Sequence, residues 1–235
     1  MSRAVPPDRF DALIRAATAV FLRQGYRRTQ MANVAEELGV AKGTLYLYVE
    51  SKEALFEQAL LHADREQPIP LPSALPLPTP RAGSTLRRVR ARLARDVRLP
   101  ALEAALGRRR ARDSRAEVET IARELFRLLA AHRVGIKLLD RCGSDFPQLA
   151  QLWSAGGRGG VVALLEKYLR ARIASRQLAP LANASLSARI TLEIAAQWAV
   201  HRHWDPMPDP RFVDETRIED GVVEFVSRAL HGDLP

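Results

Sequence analysis

Apolar residues recur at three- and four-residue spacing through most of this 235-residue chain, the period of helices that turn one face to a core. Phe10, Leu13, Ile14, Ala17, Val20 and Phe21 form the first stripe, between Asp8, which can cap a helix, and Gly25, which can end it. Residues 1 to 7 ahead of it read as a flexible arm. Met31, Val34, Ala35 and Leu38 form a second stripe, with Thr29 expected as N-cap and Gly39 placed for a left-handed C-cap. After Val40 and Ala41 a short helix is predicted over 42–48. Ser51 then caps a longer one with Glu53 in its first turn, and Leu55, Phe56, Ala59 and Leu60 carry its apolar face to about Glu66. Further stripes follow: Leu86, Val89, Leu93 and Val97; Val118, Ile121, Ala122, Leu125 and Leu129, running into Val134 and Leu138; Val162, Leu165, Leu169 and Ile173; Leu186, Ile190, Ile194, Ala195 and Trp198; and Phe212, Ile218, Val222, Phe225, Val226 and Leu230. No strand alternation of useful length interrupts them, so the expected class is all-α.

Residues 68 to 80 break this pattern with six prolines. No helix or central strand tolerates that density, and an extended linker of polyproline character is expected. The run Gly156-Gly157-Arg158-Gly159-Gly160 lacks the Lys-Ser/Thr ending and the preceding strand of a phosphate loop. It reads as a hinge or a close-packing turn. The resulting division is an N-terminal block over 1–50 with a connecting helix over 51–66, a Pro-rich linker over 67–80, and a helical domain over 81–235.

Charge and composition narrow the class. The formal net charge is +9, with 47% apolar and 27% charged residues, ordinary for a soluble globular protein. The first 66 residues carry nine Lys and Arg against nine acids, whereas residues 81 to 115 carry twelve Arg against three. Three readings of that Arg-rich stretch stay open: solvated helix faces, a surface or pocket for an acidic partner, and extra phosphate contact. Cys142 is the only cysteine, which excludes an internal disulfide and fits a reducing compartment. No apolar run approaches the ~18 residues of a membrane span, and the first residues lack the apolar core of a signal peptide. A cytoplasmic protein with no membrane partner is expected.

The chemistry concentrates in residues 29 to 56. Two short helices joined by a Gly-containing turn make a helix-turn-helix, whose second helix presents its N-terminal residues to base edges in the major groove. Here those residues are Lys42, Gly43 and Thr44. Lys42 can reach a guanine edge or a phosphate, Thr44 can offer its hydroxyl or methyl to a base, and Gly43 lets the backbone approach closely. Tyr46 and Tyr48 can brace on the sugar-phosphate backbone through their hydroxyls or pack inward; Leu45 and Leu47 are expected to pack. Arg27 and Arg28 are either solvated loop charge or phosphate contacts.

Gly25-Tyr26, Thr29, Val34-Ala35, Leu38-Gly39-Val40, Lys42-Gly43-Thr44-Leu45-Tyr46, Tyr48 and Ser51-Lys52-Glu53-Ala54-Leu55-Phe56 together resemble the tetracycline-repressor (TetR) family of bacterial transcriptional regulators, over about residues 8 to 63. The resemblance implies a repressor that binds a palindromic double-stranded DNA operator as a homodimer and is released by a small-molecule effector. It implies phosphate contacts from Thr29 and Lys52. It also implies a dimer interface formed by helices over about 161–176 and 184–203, with Val162, Leu165, Leu169, Ile190 and Ile194. Ala41 departs from the family, where Ser is common, and removes one cap and phosphate donor.

The candidate effector pocket comprises Phe126, Leu129, His132, Cys142, Phe146, Trp153, Tyr168, Trp198 and His201, and its apolar and aromatic character suggests a hydrophobic or aromatic effector. Two other classes are weighed. One is a helical ligand- or partner-binding protein whose helix-turn-helix is not used on DNA, separated from a regulator by salt-dependent, sequence-selective DNA binding. The other is an enzyme. His201 and His203 stand two apart, on different faces of a helix, and a lone Cys142 with a distant His is more commonly a buried inert thiol than a nucleophile, so no catalytic, metal or cofactor site is expected.

Overall fold

The computed structural model describes residues 7–232; the arm expected over 1 to 7 and the capping side chain of Asp8 lie outside the described residues, apart from the first helix beginning at Pro7. Twelve α-helices are described: α1 (Pro7–Gln24), α2 (Met31–Leu38), α3 (Lys42–Leu45), α4 (Lys52–His62), α5 (Ser84–Asp96), α6 (Pro100–Leu106), α7 (Ser114–Ala131), α8 (Arg133–Cys142), α9 (Pro147–Gln151), α10 (Gly159–Ala174), α11 (Ala184–Ala199) and α12 (Glu215–His231). Among the described residues there is no strand, only one isolated parallel bridge between Val49 and Leu77. No helix among the described residues is long and apolar enough to cross a membrane. The chain is all-α, with a helix-turn-helix at its N-terminal end.

The chain divides into two compact units, and not where the sequence suggested. The first runs to Asp96 and includes Val134–Leu152; the second is Val97–Arg133 together with the chain from Trp153 on. Three features move the expected boundaries. In α4, every residue from Ala54 to Leu60 is buried, so the expected connecting helix is a core helix of the first unit. The helix α5 is tied to it, with Thr85 and Arg88 donating to the buried Glu57 carboxylate at 2.9 Å. The segment around Phe146 joins the same core, because Phe21, Tyr26, Phe56 and Phe146 form one cluster with ring centroids 4.5 to 5.9 Å apart.

The Pro-rich stretch is not a free linker. The Ile69 side chain is buried and its N–H donates to Asp11 at 2.9 Å. Leu77 donates its N–H to the Tyr48 carbonyl at 2.8 Å and accepts from Glu50 N–H at 2.9 Å. Thr79 donates its hydroxyl to Ser51 Oγ and its N–H to Glu50, both at 2.9 Å. Prolines remove donors but leave every other N–H available, and these five bonds make the stretch a strap on the first unit.

In the second unit α7, α10, α11 and α12 surround a core that includes Val118, Leu125, Phe126, Leu165, Tyr168 and Leu192. The glycine run 156–160 is no turn: Leu152–Arg158 forms a π-helical segment that leads directly into α10. A Cβ at Gly157 would come within 2.5 Å of the Trp153 ring, which fits the close-packing alternative.

Candidate nucleic-acid interface

The helix-turn-helix is built on α1, whose Phe10, Leu13, Ile14, Ala17, Val20 and Phe21 are all buried. Gly39 ends α2 in the left-handed region at φ +71°, where a side chain would be strained. Its N–H reaches Glu36, and the Val40 N–H bonds the Ala35 carbonyl at 2.9 Å, closing the helix end. Three residues, Gly39 to Ala41, separate α2 from α3. Ala41 makes no side-chain cap bond to α3; only its carbonyl accepts, from Thr44 N–H at 2.9 Å.

The helix α3 is shorter than the predicted 42–48. It stops at Leu45, and the chain continues with i to i+3 bonds from Tyr46, Leu47 and Tyr48. Leu45, Tyr48 and Val49 are buried anchors. Lys42 and Gly43 are exposed and Thr44 is half-buried. Tyr46 is 42% exposed and Leu47 57%. A Cβ at Gly43 would meet nothing within 4 Å, so the protein itself does not demand glycine there.

Several expectations need correction. Thr29 is not the N-cap of α2. It is 1% exposed and its hydroxyl donates to the Gly25 carbonyl at 2.7 Å. Gln30 takes the cap position, its N–H donating to Asn33 Oδ1 at 2.8 Å. Tyr48 is buried and stacks on Phe10 at 6.4 Å, so core packing is its role. Leu47, expected inside, is exposed beside Tyr46. The Lys52 ammonium is half-buried, donating to the Tyr26 and Thr29 carbonyls at 3.1 and 3.0 Å and lying 4.2 Å over the Tyr26 ring. Arg28 is exposed, as is Arg27, whose backbone N–H donates to Asp145 at 2.9 Å.

The expected pocket residues do not meet in one cavity. Cys142 and Phe146 belong to the first unit, and burial pushes the Cys142 thiol up to about 11, leaving it protonated. Phe126, Leu129 and Tyr168 are buried in the second unit's core, where the void against Tyr168 holds only about 10 Å³. His132 ends α7, Trp153 lies in the π-helical segment, and His201 opens the 3-10 turn His201–Trp204. Two of the expected pocket residues line large openings, and different ones: Trp198 an opening of about 550 Å³ with Ile194, Phe212 and Phe225, and Phe146 one of about 460 Å³ in the first unit. Of the expected interface residues, Leu165 and Leu169 are inside the chain's own core and Val162 is half-buried. Ile190, by contrast, is 48% exposed, and Ile194 is half-buried. Leu186 and Phe225, which the sequence reading did not place at an interface, are exposed alongside.

Comparison with known proteins bears on the first unit. Residues 13–59 match the family model of bacterial regulatory proteins, tetR family. An uncharacterised HTH-type transcriptional regulator, YhgD of Bacillus subtilis, is 41% identical over 51 residues, 22% of this chain; the match spans only 27% of that relative's own length. Two solved structures share the fold at 15% identity. A bacterial regulatory protein in the tetR family from Rhodococcus RHA1 aligns over 96% of this chain and 98% of its own with a TM-score of 0.55. AibR in complex with isovaleryl coenzyme A and operator DNA aligns over 93% and 97% with a TM-score of 0.53. Over residues 13–59 the helix-turn-helix block is thus similar to that of the tetR family of bacterial regulatory proteins.

Proposed function

We propose that the chain is a transcriptional repressor that binds a palindromic operator as a homodimer in the cytoplasm and lets go when a small molecule binds. The observation that carries this is the exposed set Lys42, Gly43 and Tyr46, with half-buried Thr44, on a turn pinned by buried Leu45, Tyr48 and Val49. A rigid support beneath exposed polar groups is what groove reading needs. The DNA-facing set is Arg28, Lys42, Gly43, Thr44 and Tyr46. Thr29 and Lys52 support the loop from beneath.

The dimer face is assigned to α11 and α12 rather than to α10 and α11. Leu186, Ile190 and Phe225 are exposed there, beside the opening lined by Ile194, Trp198 and Phe212. A contiguous apolar surface of this kind is costly unless covered. A symmetric partner on it would present two reading heads, which an operator requires about one duplex turn, ~34 Å, apart or at a related spacing. An effector that prefers the arrangement with mis-spaced heads then weakens operator binding by the same factor by which operator weakens effector binding. The complex of AibR with isovaleryl coenzyme A and operator DNA is an instance of this fold carrying both partners, and it supports the reading. The test is a mobility shift of inverted repeats flanking the gene, at two salt concentrations. Retention of one repeat over scrambled DNA is expected; indifference to sequence at both concentrations would reject the reading.

A further inference from the structure

The first unit holds a cavity that the DNA-reading role does not use. Its volume is about 460 Å³, within the range of small-molecule sites. We propose that it binds a small aromatic amine, and that the strap of residues 67–80 carries its occupancy to the end of α3; the second half rests on the DNA-reading role argued above, the first half does not.

The lining sets the ligand chemistry. Phe56 and Phe146 lie nearly parallel, 5.0 Å apart at 11°, and Leu86 and Leu149 add apolar wall. A flat apolar body fits such surfaces. The carboxylates of Glu53 and Asp145 also line the cavity. Glu53 accepts from the Tyr26 hydroxyl at 2.9 Å and also from Ser51 and its own N–H, and Asp145 accepts from the Arg27 N–H at 2.9 Å with the exposed Arg27 guanidinium 3.7 Å away. A carboxylate offers about four acceptor positions and no donor, so both have capacity left for a ligand that donates. An ammonium group supplies donors, a matching charge and a partner for the ring faces. A carboxylate ligand would meet two like charges. Arg81, the cation among the lining residues, is solvent-exposed.

The same residues connect the cavity to the reading turn. Pro80 and Arg81 form part of its wall and directly follow Thr79. Thr79 is bonded to Ser51 and Glu50, and Leu77 to Tyr48 and Glu50, the residues that leave α3 and cap α4. Glu53 lies in the first turn of α4 and holds Tyr26, in the loop that leads into α2. A ligand engaging Glu53 competes with the Tyr26 hydroxyl, and one that displaces Pro80 moves the strap.

The test uses the full chain without DNA, titrated calorimetrically with 2-naphthylmethylammonium and, as its anionic counterpart, 2-naphthylacetate. The amine is expected to bind once per chain and at least about tenfold tighter than the acid, with Glu53→Gln and Asp145→Asn each weakening it by about tenfold, the scale of one charged hydrogen bond. Ala82→Trp, at an exposed lining position, fills the cavity without touching the core and should abolish binding. Equal binding by Ala82→Trp, equal affinity for the acid, or no heat from the amine at millimolar concentration would overturn the site. Amine-dependent change in hydrogen exchange at the Leu77 and Glu50 amides supports the coupling; unchanged exchange in a saturated sample removes it. A chain that binds the amine yet ignores every operator keeps the site and loses the regulatory reading.

Discussion

Arg172 Nε donates to Glu117 Oε1 at 2.7 Å inside the second unit, where the arginine side chain is 0% exposed. The guanidinium also donates to the carbonyls of Ala105 at 2.7 Å and Arg108 at 3.1 Å, at the end of α6, and lies 5.1 Å over the Tyr168 ring. Tyr168 in turn donates its hydroxyl to Glu117 at 3.1 Å. One buried cation therefore satisfies a carboxylate and the open carbonyls of a helix end.

Arg172→Met removes that cation and leaves the buried Glu117 carboxylate with the Tyr168 hydroxyl and, 3.7 Å away, the largely exposed Arg108. Breaking a buried pair from one side costs about 3–5 kcal/mol, and a fall of that size in urea unfolding free energy is expected. Glu117→Gln keeps an acceptor for the guanidinium and should cost clearly less. Equal losses in the two variants would show that the charge of the pair, rather than the guanidinium's hydrogen bonds or packing volume, carries the stability.

Lys52→Ala should destabilise the first unit. Its ammonium bridges two carbonyls of the loop ahead of α2, and hydrogen bonds to a charged group contribute about 1.5–3 kcal/mol. Thermal unfolding should show the loss in DNA-free protein. A variant of unchanged stability with weaker operator binding would instead assign the ammonium to a phosphate.

These two networks mark where the sequence was legible. The stripe from Phe10 to Phe21 and the glycine at 39 were readable because helical period and positive φ are local properties. Thr29 against Gln30 as the cap was not, because it depends on whether a hydroxyl finds the Gly25 carbonyl. Six prolines excluded a helix over 68–80, but nothing local says that Leu77 pairs beside Val49. Likewise Leu165 and Ile190 are both apolar positions of amphipathic helices. Periodicity identifies a face; it does not say whether the chain's own core or another molecule covers it.

Gly43→Ala separates fold from function. The added methyl meets no protein atom within 4 Å, and alanine is the better helix former by about 1 kcal/mol. Stability should hold or rise slightly, while operator binding falls by about 1–3 kcal/mol, the scale also expected of Lys42→Ala. Full operator affinity in Gly43→Ala would place the DNA away from the α3 backbone.

His62 predicts the pH response. Burial, with Arg65 and Arg92 nearby, holds its imidazolium below the ordinary value of 6.5. The unfolded chain then binds the proton first as pH falls, so the contribution is full above about 6.5 and is lost between there and the lower folded value. Urea midpoints measured from pH 7.5 to 5 should fall, and His62→Gln should flatten part of that slope. A slope unchanged in His62→Gln would assign the titration elsewhere, with His203, also held low by burial and by Arg133 and Arg202, the next group to replace.

A charge placed on α11 or α12 distinguishes surface from core. Ile190 and Phe225 are 48% and 58% exposed, so Ile190→Glu or Phe225→Glu buries no charge in the chain itself and should keep the helical circular dichroism signal. If their face meets its symmetric copy, two glutamates are brought together and desolvated there, which costs several kcal/mol. Sedimentation should then show monomers, and operator binding should weaken because each half-site is held alone. Leu165→Glu is the contrast. That residue is only 4% exposed, and an unpaired carboxylate in its place should unfold the second unit before any assembly is at issue. Dimers persisting in both Ile190→Glu and Phe225→Glu, with the fold intact, would move the interface off these two helices.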